Sequence, residues 1–497
     1  MAKGQTFQDL ALTPPADGRE LWRWLYSEIR AAIVDGRLKR GSRVPSTRSL
    51  AEQYGVARGT VTAAFDQLRA EGYTSTEVGA GTFVASGLPD DTMHVRRTAR
   101  AVDAAAMSRA TLSKRGRAMT EDVRVIAVSH TIGRAFRSYE PAIDLFPVDQ
   151  WARIAGRVLR RANRTLYGQG AASGYEPLRR AIAEYLGSAR GVKCDPAQVI
   201  VTTGAQQALD LTARLLFDPG DVVWVEDPCY PGARYTLRAG GAKIVPVPVD
   251  REGLDVARAP RSRTAPKLIY TTPASQFPLG VTMSLERRTA LLQAAVKAGA
   301  WIIEDEYDAE YRYFGRPVAA LHSLDRSGSV IYVGTFTKML FNALRLGFVV
   351  VPERLVEAFD RAKSFIDRHA PTLDQAVLAE FVMEGHFGHH VRRMRQVYGE
   401  RAEVLKAAAD RRLKGAIDVE RAASGMRTVA WVKTGASDVE VATRGRALGL
   451  ELASLSPFTI RYAQPPALLL GFAGCSAEEL RRGVGVLGAA LKPEPVR

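Results

Sequence analysis

Two stretches decide the fold of this chain, Ile302-Ile303-Glu304-Asp305-Glu306-Tyr307 and Val330-Ile331-Tyr332-Val333-Gly334-Thr335-Phe336-Thr337-Lys338. Each begins as a short apolar run rich in β-branched residues, which predicts a buried strand. Each then ends in a cluster of polar side chains. Because ligands bind at the carboxyl ends of strands in open α/β sheets, the two stretches predict a site that contains an acid, a phenol, a lysine and several hydroxyls.

Similar apolar runs recur along the chain from about residue 125 and alternate with helical patterns. The predicted strands span residues 199–203, 222–226, 267–270, 301–304, 330–334 and 346–351. Such alternation is typical of an α/β domain with a mainly parallel sheet. We therefore predict a domain of this class over residues 125–497.

Composition limits the remaining choices. At 497 residues the chain is too long for one core, so two or more domains are expected. Its net charge of +16 favours a polyanionic partner such as nucleic acid, although scattered solvated charges would give the same total. Cys194, Cys229 and Cys475 lie far apart and show no disulfide or zinc spacing, so we expect no metal site and a reducing, cytoplasmic location. No apolar run approaches the ~18 residues of a membrane span, so no membrane association is expected.

The front of the chain predicts three helices and a hairpin. Apolar residues at helical spacing indicate a first helix around Leu25, a second that begins after the N-cap Ser46, and a third around Phe65. Gly55 supplies a tight turn between the second and third helices, as in a helix-turn-helix. The segment 77–84 predicts a Gly-rich β-hairpin, hence a wing.

The N-terminal end of the third predicted helix is the part that would enter the major groove of a double-stranded DNA operator. This end carries Arg58, Thr60 and Thr62. Arginine can bridge guanine O6 and N7, and threonine can contact a phosphate or a thymine methyl group. A three-helix structural domain without DNA contacts is the alternative that this pattern alone leaves open.

The complete front segment resembles the GntR-type winged helix. The motifs that carry the resemblance are Gly36-Arg37-Leu38, Gly41-Ser42-Arg43-Val44-Pro45-Ser46-Thr47-Arg48-Ser49-Leu50-Ala51, Gly55-Val56-Ala57-Arg58-Gly59-Thr60-Val61, Glu71-Gly72-Tyr73 and Gly79-Ala80-Gly81-Thr82-Phe83-Val84. The resemblance implies a set of residues at or near the DNA, namely Arg43, Ser46, Arg48, Arg58, Thr60 and Gly81.

The segment 88–124 differs in composition from both of its neighbours. It is poor in large apolar residues and rich in Arg, Ala, Ser and Asp. Segments of this kind bury too little apolar surface to fold alone. We predict a flexible basic linker here, between a winged helix over residues 19–87 and the α/β domain over residues 125–497.

The polar residues at the predicted strand ends match the demands of pyridoxal 5'-phosphate (PLP). Its aldehyde needs a lysine amine for a Schiff base, and Lys338 follows the strand 330–334. Its pyridine nitrogen needs a carboxylate, for which Asp305 is the candidate. Tyr307 would pair with the phenolic oxygen of PLP, and Tyr230 would stack on its ring.

The phosphate of PLP needs amide donors, hydroxyls and a cation. Gly204, Ala205 and Gln206 form a predicted strand-to-helix turn, where backbone N–H groups and the helix dipole favour an anion. The residues expected to complete this phosphate site are Thr335, Thr337 and Arg345. Each residue alone has an ordinary structural reading, such as a turn glycine or a solvated lysine, but their order along successive strand ends favours a cofactor pocket.

Residues from about 140 to 490 resemble the fold-type I aminotransferases, and the whole chain resembles the MocR-type subgroup of GntR regulators. The motifs are Tyr167-Gly168, Gly174-Tyr175-Glu176-Pro177-Leu178-Arg179, Gly204-Ala205-Gln206-Gln207-Ala208-Leu209-Asp210, Glu226-Asp227-Pro228-Cys229-Tyr230, Thr272-Pro273-Ala274-Ser275-Gln276-Phe277-Pro278-Leu279-Gly280, Glu304-Asp305-Glu306-Tyr307-Asp308 and Gly334-Thr335-Phe336-Thr337-Lys338. The resemblance implies an N-terminal winged helix-turn-helix, mainly α with a β wing, plus an α/β fold-type I PLP-dependent aminotransferase-like domain.

The same resemblance implies further features of the site. PLP would form an internal aldimine with Lys338, and two subunits would share their active sites in a homodimer. Tyr167 would reach the PLP phosphate of the partner subunit. Gln276 or Phe277 would lie near the phenolic oxygen of PLP.

Two departures from the family pattern bear on activity. Many aminotransferases bind the substrate carboxylate through an arginine just before a Phe-Ala pair, but here Leu468-Leu469-Leu470-Gly471 precedes Phe472-Ala473. Arg461 and Arg427 are the candidates to replace it in binding an effector. The usual proline between Lys338 and Arg345 is also absent. Efficient transamination is therefore not expected, whereas retention of PLP is.

We predict a PLP-dependent transcriptional regulator that senses an amine or amino-acid effector, or PLP itself. Two alternatives remain open at this point. The chain could be a catalytically active PLP-dependent aminotransferase with an incidental winged helix. It could instead be a DNA-binding protein whose aminotransferase-like domain has lost PLP and serves only to form a dimer.

Overall fold

The computed structural model describes residues 20–77, 80–89, 111–120, 135–162, 164–261, 263–315 and 318–492. It divides the chain into two compact units, Met1–Thr111 and Leu112–Arg497. The division falls inside the segment 88–124. Most of that segment lies outside the described residues, so the predicted flexible linker remains a prediction. Its described part contains a short helix, Lys114–Thr120.

The first unit contains the three expected helices, α1 (Leu21–Val34), α2 (Thr47–Tyr54) and α3 (Arg58–Ala70). Ser46 caps α2, since its side chain accepts a hydrogen bond from the Ser49 N–H at 3.1 Å. Gly55 follows α2 with φ 63°, a left-handed conformation that costs glycine little. The apolar faces of the three helices close on one core that includes Leu25 and Phe65.

The wing of this unit is a two-stranded antiparallel hairpin. β1 (Thr74–Glu77) pairs with β2 (Gly81–Val84), with Glu77 opposite Gly81. The hairpin therefore begins three residues before the segment in which the sequence predicted it. Gly81 has φ 119°, and a Cβ there would lie 2.7 Å from Nε of Arg43. Glycine at this position leaves room for the Arg43 guanidinium beside the wing.

An eight-stranded sheet forms the centre of the second unit. Its strands are β3 (Val199–Thr202), β4 (Val222–Asp227), β5 (Lys243–Asp250), β6 (Gly253–Leu254), β7 (Leu268–Thr271), β8 (Trp301–Glu306), β9 (Val330–Thr335) and β10 (Gly347–Val350). The order is β3-β10-β9-β8-β7-β4-β5-β6. Parallel pairs join β5, β4, β7, β8 and β9, whereas β10 is antiparallel to both neighbours. The α/β class and the mainly parallel sheet are confirmed.

Helices cover both faces of this sheet. Val201 packs in one cluster with Ile182, and its neighbour Ile200 packs in another with Leu209, because successive strand residues point to opposite faces. The helices of the unit are α4 (Lys114–Thr120), α5 (Val148–Arg161), α6 (Arg164–Tyr167), α7 (Glu176–Arg190), α8 (Ala205–Leu216), α9 (Pro231–Ala239), α10 (Leu285–Ala298), α11 (Leu321–Leu324), α12 (Val356–Ile366), α13 (Thr372–Met383), α14 (His386–Arg412), α15 (Asp438–Ala447) and α16 (Ala477–Ala490). Among the described helices, none combines the length and the apolarity needed to cross a bilayer.

A second, smaller sheet follows, and the sequence did not predict it. Its strands are β11 (Ile417–Val419), β12 (Arg427–Val432), β13 (Ala453–Ser454) and β14 (Ala467–Gly471), all paired antiparallel in the order β11-β12-β14-β13. Val429 lies opposite Leu469, and both pack against Phe277. Because side chains alternate along a strand, Arg427 lies on the same face of the sheet as Val429.

Candidate functional site

The N-terminal end of α3 presents its polar residues outward. Arg58 is the first residue of the helix and is exposed, and Thr60 is half-buried. Thr62 is exposed one turn on, and its hydroxyl donates a hydrogen bond to the Arg58 carbonyl oxygen at 3.0 Å. The guanidinium of Arg58 can therefore approach the edge of a base pair.

The other DNA candidates lie on α2, in the loop before it and on the wing. Arg48 is exposed and donates to Glu52 at 3.2 Å, in a surface ion pair that stabilises little and can be exchanged for a phosphate. Arg43 is exposed beside Gly81. The side-chain oxygen of Ser46 is engaged in capping α2. These positions place the exposed cations Arg43 and Arg48 and the N-terminus of α2 on the first unit.

Asp305 lies near the carboxyl end of β8 and is almost completely buried. The hydroxyl of Tyr270, on the neighbouring strand β7, donates to its Oδ2 at 2.7 Å. Its Oδ1 is buried and has no hydrogen-bond partner. Burial raises the pKa of Asp305 to about 7, against the lowering effect of the Tyr270 hydrogen bond. One carboxylate oxygen is therefore available for a protonated ring nitrogen, which would keep the carboxylate ionised.

Tyr307, two residues beyond Asp305, takes part in a short polar chain. Its hydroxyl donates to the Ser275 carbonyl at 2.8 Å and accepts from Nη2 of Arg427 at 3.2 Å. The ring of Phe277 lies 6.1 Å from the Tyr307 ring. Of the two residues predicted near the phenolic oxygen, the structure brings Phe277 to Tyr307. The Gln276 amide instead donates to Glu226 and to the Pro228 carbonyl.

Gln276 stabilises the loop that leads into the pocket. Its Nε2 donates to Glu226 at 3.2 Å and to the Pro228 carbonyl at 2.8 Å, and its Oε1 accepts from the Leu279 N–H at 3.1 Å. The side chain is fully buried. Its hydrogen bonds therefore support the loop geometry, and they leave little capacity for a direct contact with a cofactor.

Lys338 follows β9 in a turn and points its amine into the protein. Its Nζ donates to the Tyr139 carbonyl at 3.2 Å and to Oδ1 of Asn342 at 3.3 Å. Burial and the nearby Arg345 lower the pKa of Lys338 to about 8. At pH 7 roughly a tenth of the amine is therefore present as the neutral nucleophile that addition to an aldehyde requires, a larger fraction than for an ordinary lysine.

The predicted phosphate site forms where β3 turns into α8. Ala205 and Gln206 open the helix, so their N–H groups lack intrahelical acceptors. Gly204 has φ 105°, and a Cβ there would lie 3.1 Å from Nη2 of Arg345. Arg345 in turn donates to the Thr203 carbonyl at 3.1 Å. Amide donors and a guanidinium thus converge at this turn.

Two threonines border the same turn. Thr335 ends β9, and its Oγ1 accepts from the Thr337 N–H at 3.2 Å. Oγ1 of Thr337 is buried without a hydrogen-bond partner. The side chain of Gln206 bonds to the Gly232 carbonyl at 3.2 Å and to Thr236. Gln206 therefore contributes its backbone to this site and uses its side chain to hold α9.

Tyr230 connects the two parts of the pocket. It precedes α9 and packs edge-on to Phe277 at 5.2 Å between ring centroids. Burial raises the pKa of Tyr230 to about 12, and both Asp305 and Arg345 act on it electrostatically. The stacking of Tyr230 on the PLP ring stays a prediction.

Two predicted residues do not join this cluster. Tyr167 lies on α6 with 64% of its surface exposed. Arg461 is exposed, and its guanidinium lies over the Tyr462 ring at 5.7 Å. Its backbone N–H donates to Asp227 at 2.7 Å. Of the two arginines predicted for the effector, Arg427 is the one that the structure places in the pocket.

These observations fit PLP. The buried, unpartnered Oδ1 of Asp305 can accept from a pyridinium, and the unpartnered hydroxyl of Thr337 can donate to a phosphate. Gly204 leaves the space beside Arg345 that an approaching phosphate needs. Lys338 supplies an amine of lowered pKa.

Sequence reasoning missed two residues of the site. Tyr270 ends a predicted strand, and its position one strand away from Asp305 could have indicated the hydrogen bond. For Tyr139, the sequence contains no comparable indication. Its carbonyl meets Lys338 and its ring stacks on Phe277 at 5.3 Å, through tertiary contacts that no local spacing indicates.

Comparison with known proteins identifies the relatives of both units. The model of aminotransferase class I and II matches residues 138–487, and the model of bacterial regulatory proteins of the gntR family matches residues 23–84. The chain is 41% identical over 469 residues to the "Probable rhizopine catabolism regulatory protein MocR" of Rhizobium meliloti, which covers 94% of this chain and 93% of the relative. It is 34% identical over 407 residues to the "HTH-type transcriptional regulator TauR" of Rhodobacter capsulatus, which covers 80% and 81%.

Among solved structures, the chain resembles LysN, the alpha-aminoadipate aminotransferase from Thermus thermophilus, in complex with N-(5'-phosphopyridoxyl)-L-leucine. The TM-score is 0.65 at 31% sequence identity, over 72% of this chain and 91% of that one. The molecule bound to LysN is an amino acid joined to the cofactor. The similarity extends over most of the second unit.

The Asp305 carboxylate gives a pH-dependent prediction. Its pKa is raised to about 7 in the protein without cofactor, so the folded state keeps a proton that the unfolded state has lost. The contribution of this group to stability therefore declines as the pH rises from about 4 through 7. We expect Asp305→Asn to raise the melting temperature of the PLP-free protein at pH 8 more than at pH 5.

Differential scanning calorimetry of PLP-free protein at the two pH values measures this difference. Asp418→Asn is the matched control, because Asp418 is exposed on β11, and it should shift the melting temperature equally little at both. An Asp305→Asn effect of the same size at pH 5 and pH 8 would contradict the assignment of an ionised, half-paired carboxylate.

Proposed function

The chain belongs to the MocR-type transcriptional regulators, in which a gntR-family helix-turn-helix precedes a class I and II aminotransferase domain, and we propose that a small amine bound at its PLP pocket controls DNA binding. PLP is the cofactor of this domain class. One observation carries the proposal. The Lys338 amine, whose pKa is lowered, and the buried guanidinium of Arg427 lie in the same pocket. Such a pocket can take both ends of a small amino acid.

PLP, when bound, supplies an electrophilic carbonyl carbon and an electron-withdrawing ring. The residues of the chain supply the rest. Lys338 holds the cofactor, Asp305 keeps its ring nitrogen protonated, and Tyr230 covers the ring. Arg345, Thr337 and the start of α8 bind the phosphate. Arg427 then orients the anionic end of the effector.

An effector can change DNA binding only if it favours one arrangement of the protein over another. Its differential affinity for the two arrangements sets the size of the response, and DNA must affect effector binding by the same factor. PLP itself is the second candidate signal, because it binds the same pocket. Titration with PLP and then with amines separates the two.

An active aminotransferase is the alternative function that the pocket supports. Lys338 and Asp305 are both present, and the solved relative LysN is an aminotransferase. Against it, Leu469 on β14 packs on the face directed to the pocket, in the stretch where many members of the fold carry an arginine. The regulator is the function we favour, because the DNA-reading unit accompanies the pocket in one chain.

We also propose a homodimer, on the evidence of exposed apolar residues on consecutive helices of the second unit. Phe365, at the end of α12, is 91% exposed, and Met383, at the end of α13, is also exposed. Tyr167 on α6 adjoins the same helix α13. Burial of these side chains in a subunit interface would remove apolar area from water and would bring Tyr167 to the pocket of the partner. A dimer would read two operator half-sites.

Lys338→Ala tests the cofactor and the sensing together. We expect wild-type protein to show a visible absorption band of bound PLP that shifts on addition of amino acids, and Lys338→Ala to lose both. Lys297→Ala, which removes an exposed lysine on α10, should behave as wild type. A wild-type protein that stays colourless with excess PLP would contradict the proposal. Steady turnover of amino donors and keto acids, on the order of 1 per second or faster, would favour the aminotransferase instead.

Arg58→Ala tests the reading helix. We expect it to weaken binding to an operator selected with wild-type protein by roughly tenfold or more, since one good base contact contributes ~1–3 kcal/mol. The PLP band should not change. Arg69→Ala is the matched control: it removes the same charge from the other end of α3, where Arg69 pairs with Asp66 at 2.7 Å. If gel shifts at equal salt show equal losses for both variants, α3 does not read bases through its N-terminal end.

Phe365→Asp tests the proposed dimer. We expect a monomer by size-exclusion chromatography with light scattering, and weaker PLP retention, because the partner's contribution to the pocket is lost. Val296→Asp changes a side chain that is 59% exposed on α10 and should leave a dimer. An unchanged molar mass for Phe365→Asp would place the subunit interface elsewhere.

A further inference from the structure

Tyr139 has a backbone conformation that its residue type disfavours. Its φ is 66°, in the left-handed region where a Cβ meets the carbonyl oxygen. The segment is fixed on one side by the bridge between Phe136 and Gly471, whose N–H donates to the Phe136 carbonyl at 3.0 Å. Strain of this kind persists where surrounding contacts hold it, and it is concentrated at functional sites.

This conformation brings Tyr139 between the two charged groups of the pocket. Its carbonyl accepts from Lys338 Nζ at 3.2 Å, and its ring centroid lies 5.6 Å from the same nitrogen. The guanidinium carbon of Arg427 lies 4.5 Å from that centroid. The amine and the guanidinium therefore lie no farther apart than the sum of those two distances. A short linear molecule can reach both.

Two hydrogen-bond donors in this space lack acceptors. The Tyr139 hydroxyl and Nε of Arg427 are buried without a hydrogen-bond partner. Arg427 donates to the Tyr307 hydroxyl at 3.2 Å, and no carboxylate of the described residues lies within 4.0 Å of its guanidinium. Buried cations are normally paired and buried donors are normally satisfied. Unsatisfied donors at one place indicate a ligand with anionic acceptors.

The charges around these donors are compatible with such a ligand. Burial raises the pKa of the Tyr139 hydroxyl well above its ordinary value, so the group keeps the proton that it would donate. Asp308 is a neighbouring carboxylate that acts on Arg427 electrostatically. Burial raises the pKa of Asp308 to about 7, so its negative charge is incomplete at neutral pH and leaves Arg427 undercompensated.

We propose that Tyr139 is a specificity-determining residue of the effector site, where its hydroxyl and Arg427 together bind the carboxylate of a short amino acid whose amine faces Lys338. This inference rests on the proposed function and names its ligand class. The ring, stacked on Phe277 at 5.3 Å with an interplanar angle of 16°, forms the wall that limits the length of the ligand.

The test uses full-length protein loaded with PLP and follows the cofactor's absorption band. The titrants are glycine, β-alanine, 4-aminobutyrate and 5-aminopentanoate, each compared with the alkylamine of the same chain length. We expect Tyr139→Phe to raise the Kd of the best-binding amino acid roughly tenfold to a hundredfold, the range for a lost hydrogen bond to a charged group. The Kd of the matching alkylamine should stay unchanged.

A double-mutant cycle tests whether Tyr139 and Arg427 act on the same carboxylate. Arg427→Gln should also weaken amino-acid binding, and the double variant Tyr139→Phe with Arg427→Gln should lose less than the product of the two single losses. Additive losses would mean that the two groups act on separate parts of the ligand and would overturn the shared site. Tyr139→Gly, which removes the wall and suits the left-handed backbone, should shift the preference toward the longer amino acids.

Tyr185→Phe is the control, because it removes a buried hydroxyl that bonds to Glu310 at 2.9 Å outside this pocket. It should leave every Kd unchanged. An unaltered amino-acid Kd for Tyr139→Phe would overturn the inference while the responsive band upholds the proposed function. Loss of the PLP band in Tyr139→Phe would mean that the Tyr139 hydroxyl serves to retain the cofactor, and this result would also overturn the inference. A wild-type band that responds to no amine would defeat the proposed function itself.

Discussion

The hydrogen bond from Tyr270 to Asp305 is the interaction on which the pocket depends. It joins the ends of two parallel strands and fixes one oxygen of a carboxylate that is otherwise held away from water. The other oxygen stays open. A buried carboxylate with one free oxygen is costly without a cationic partner, so the sheet holds in place a group that a protonated ring stabilises. Other pocket residues follow strands of the same sheet, as Lys338 follows β9 and Tyr230 follows β4, whereas Arg427 belongs to the second sheet.

The two units place different physical demands on the chain. The first unit is small, and its three helices enclose one core, while the cations Arg43, Arg48 and Arg58 stay exposed. The second unit places charge in its interior and must pair that charge. Much of the pairing is structural: Glu226 is fully buried and accepts hydrogen bonds from Thr271 and Thr272. Several polar atoms of the pocket have no such partner, among them Oδ1 of Asp305, Oγ1 of Thr337 and Nε of Arg427.

The sequence allowed much of the architecture to be predicted. All six predicted strands occur, and the residues that follow them, Lys338 and Asp305 among them, lie where strand ends meet. Apolar runs indicate buried segments directly, so the prediction of the strands rests on local sequence patterns. The helix-turn-helix was predictable for the same reason, because Ser46 and Gly55 act within a few residues of their own position.

What the sequence left undecided depends on register and on distant contacts. Arg427 and Arg461 were equal candidates until strand pairing placed Arg427 on the inner face of the second sheet. Gln276 and Phe277 are adjacent, and only the loop's hydrogen bonds separate their roles. No sequence pattern indicated that Tyr139 belongs to the site, because the bridge from Phe136 to Gly471 positions it. None of these choices follows from local spacing.

The position of Arg427 has a consequence for how such proteins are compared. Its strand lies beside the one in which many aminotransferases carry their carboxylate-binding arginine, and Arg427 is opposite Gly471, whose added Cβ would collide with the Arg137 carbonyl at 1.9 Å. An alignment that compares proteins position by position finds no arginine for this chain in that strand. The folded sheet carries Arg427 on the same face, on the adjacent strand, so a comparison by sequence position alone would miss this charge.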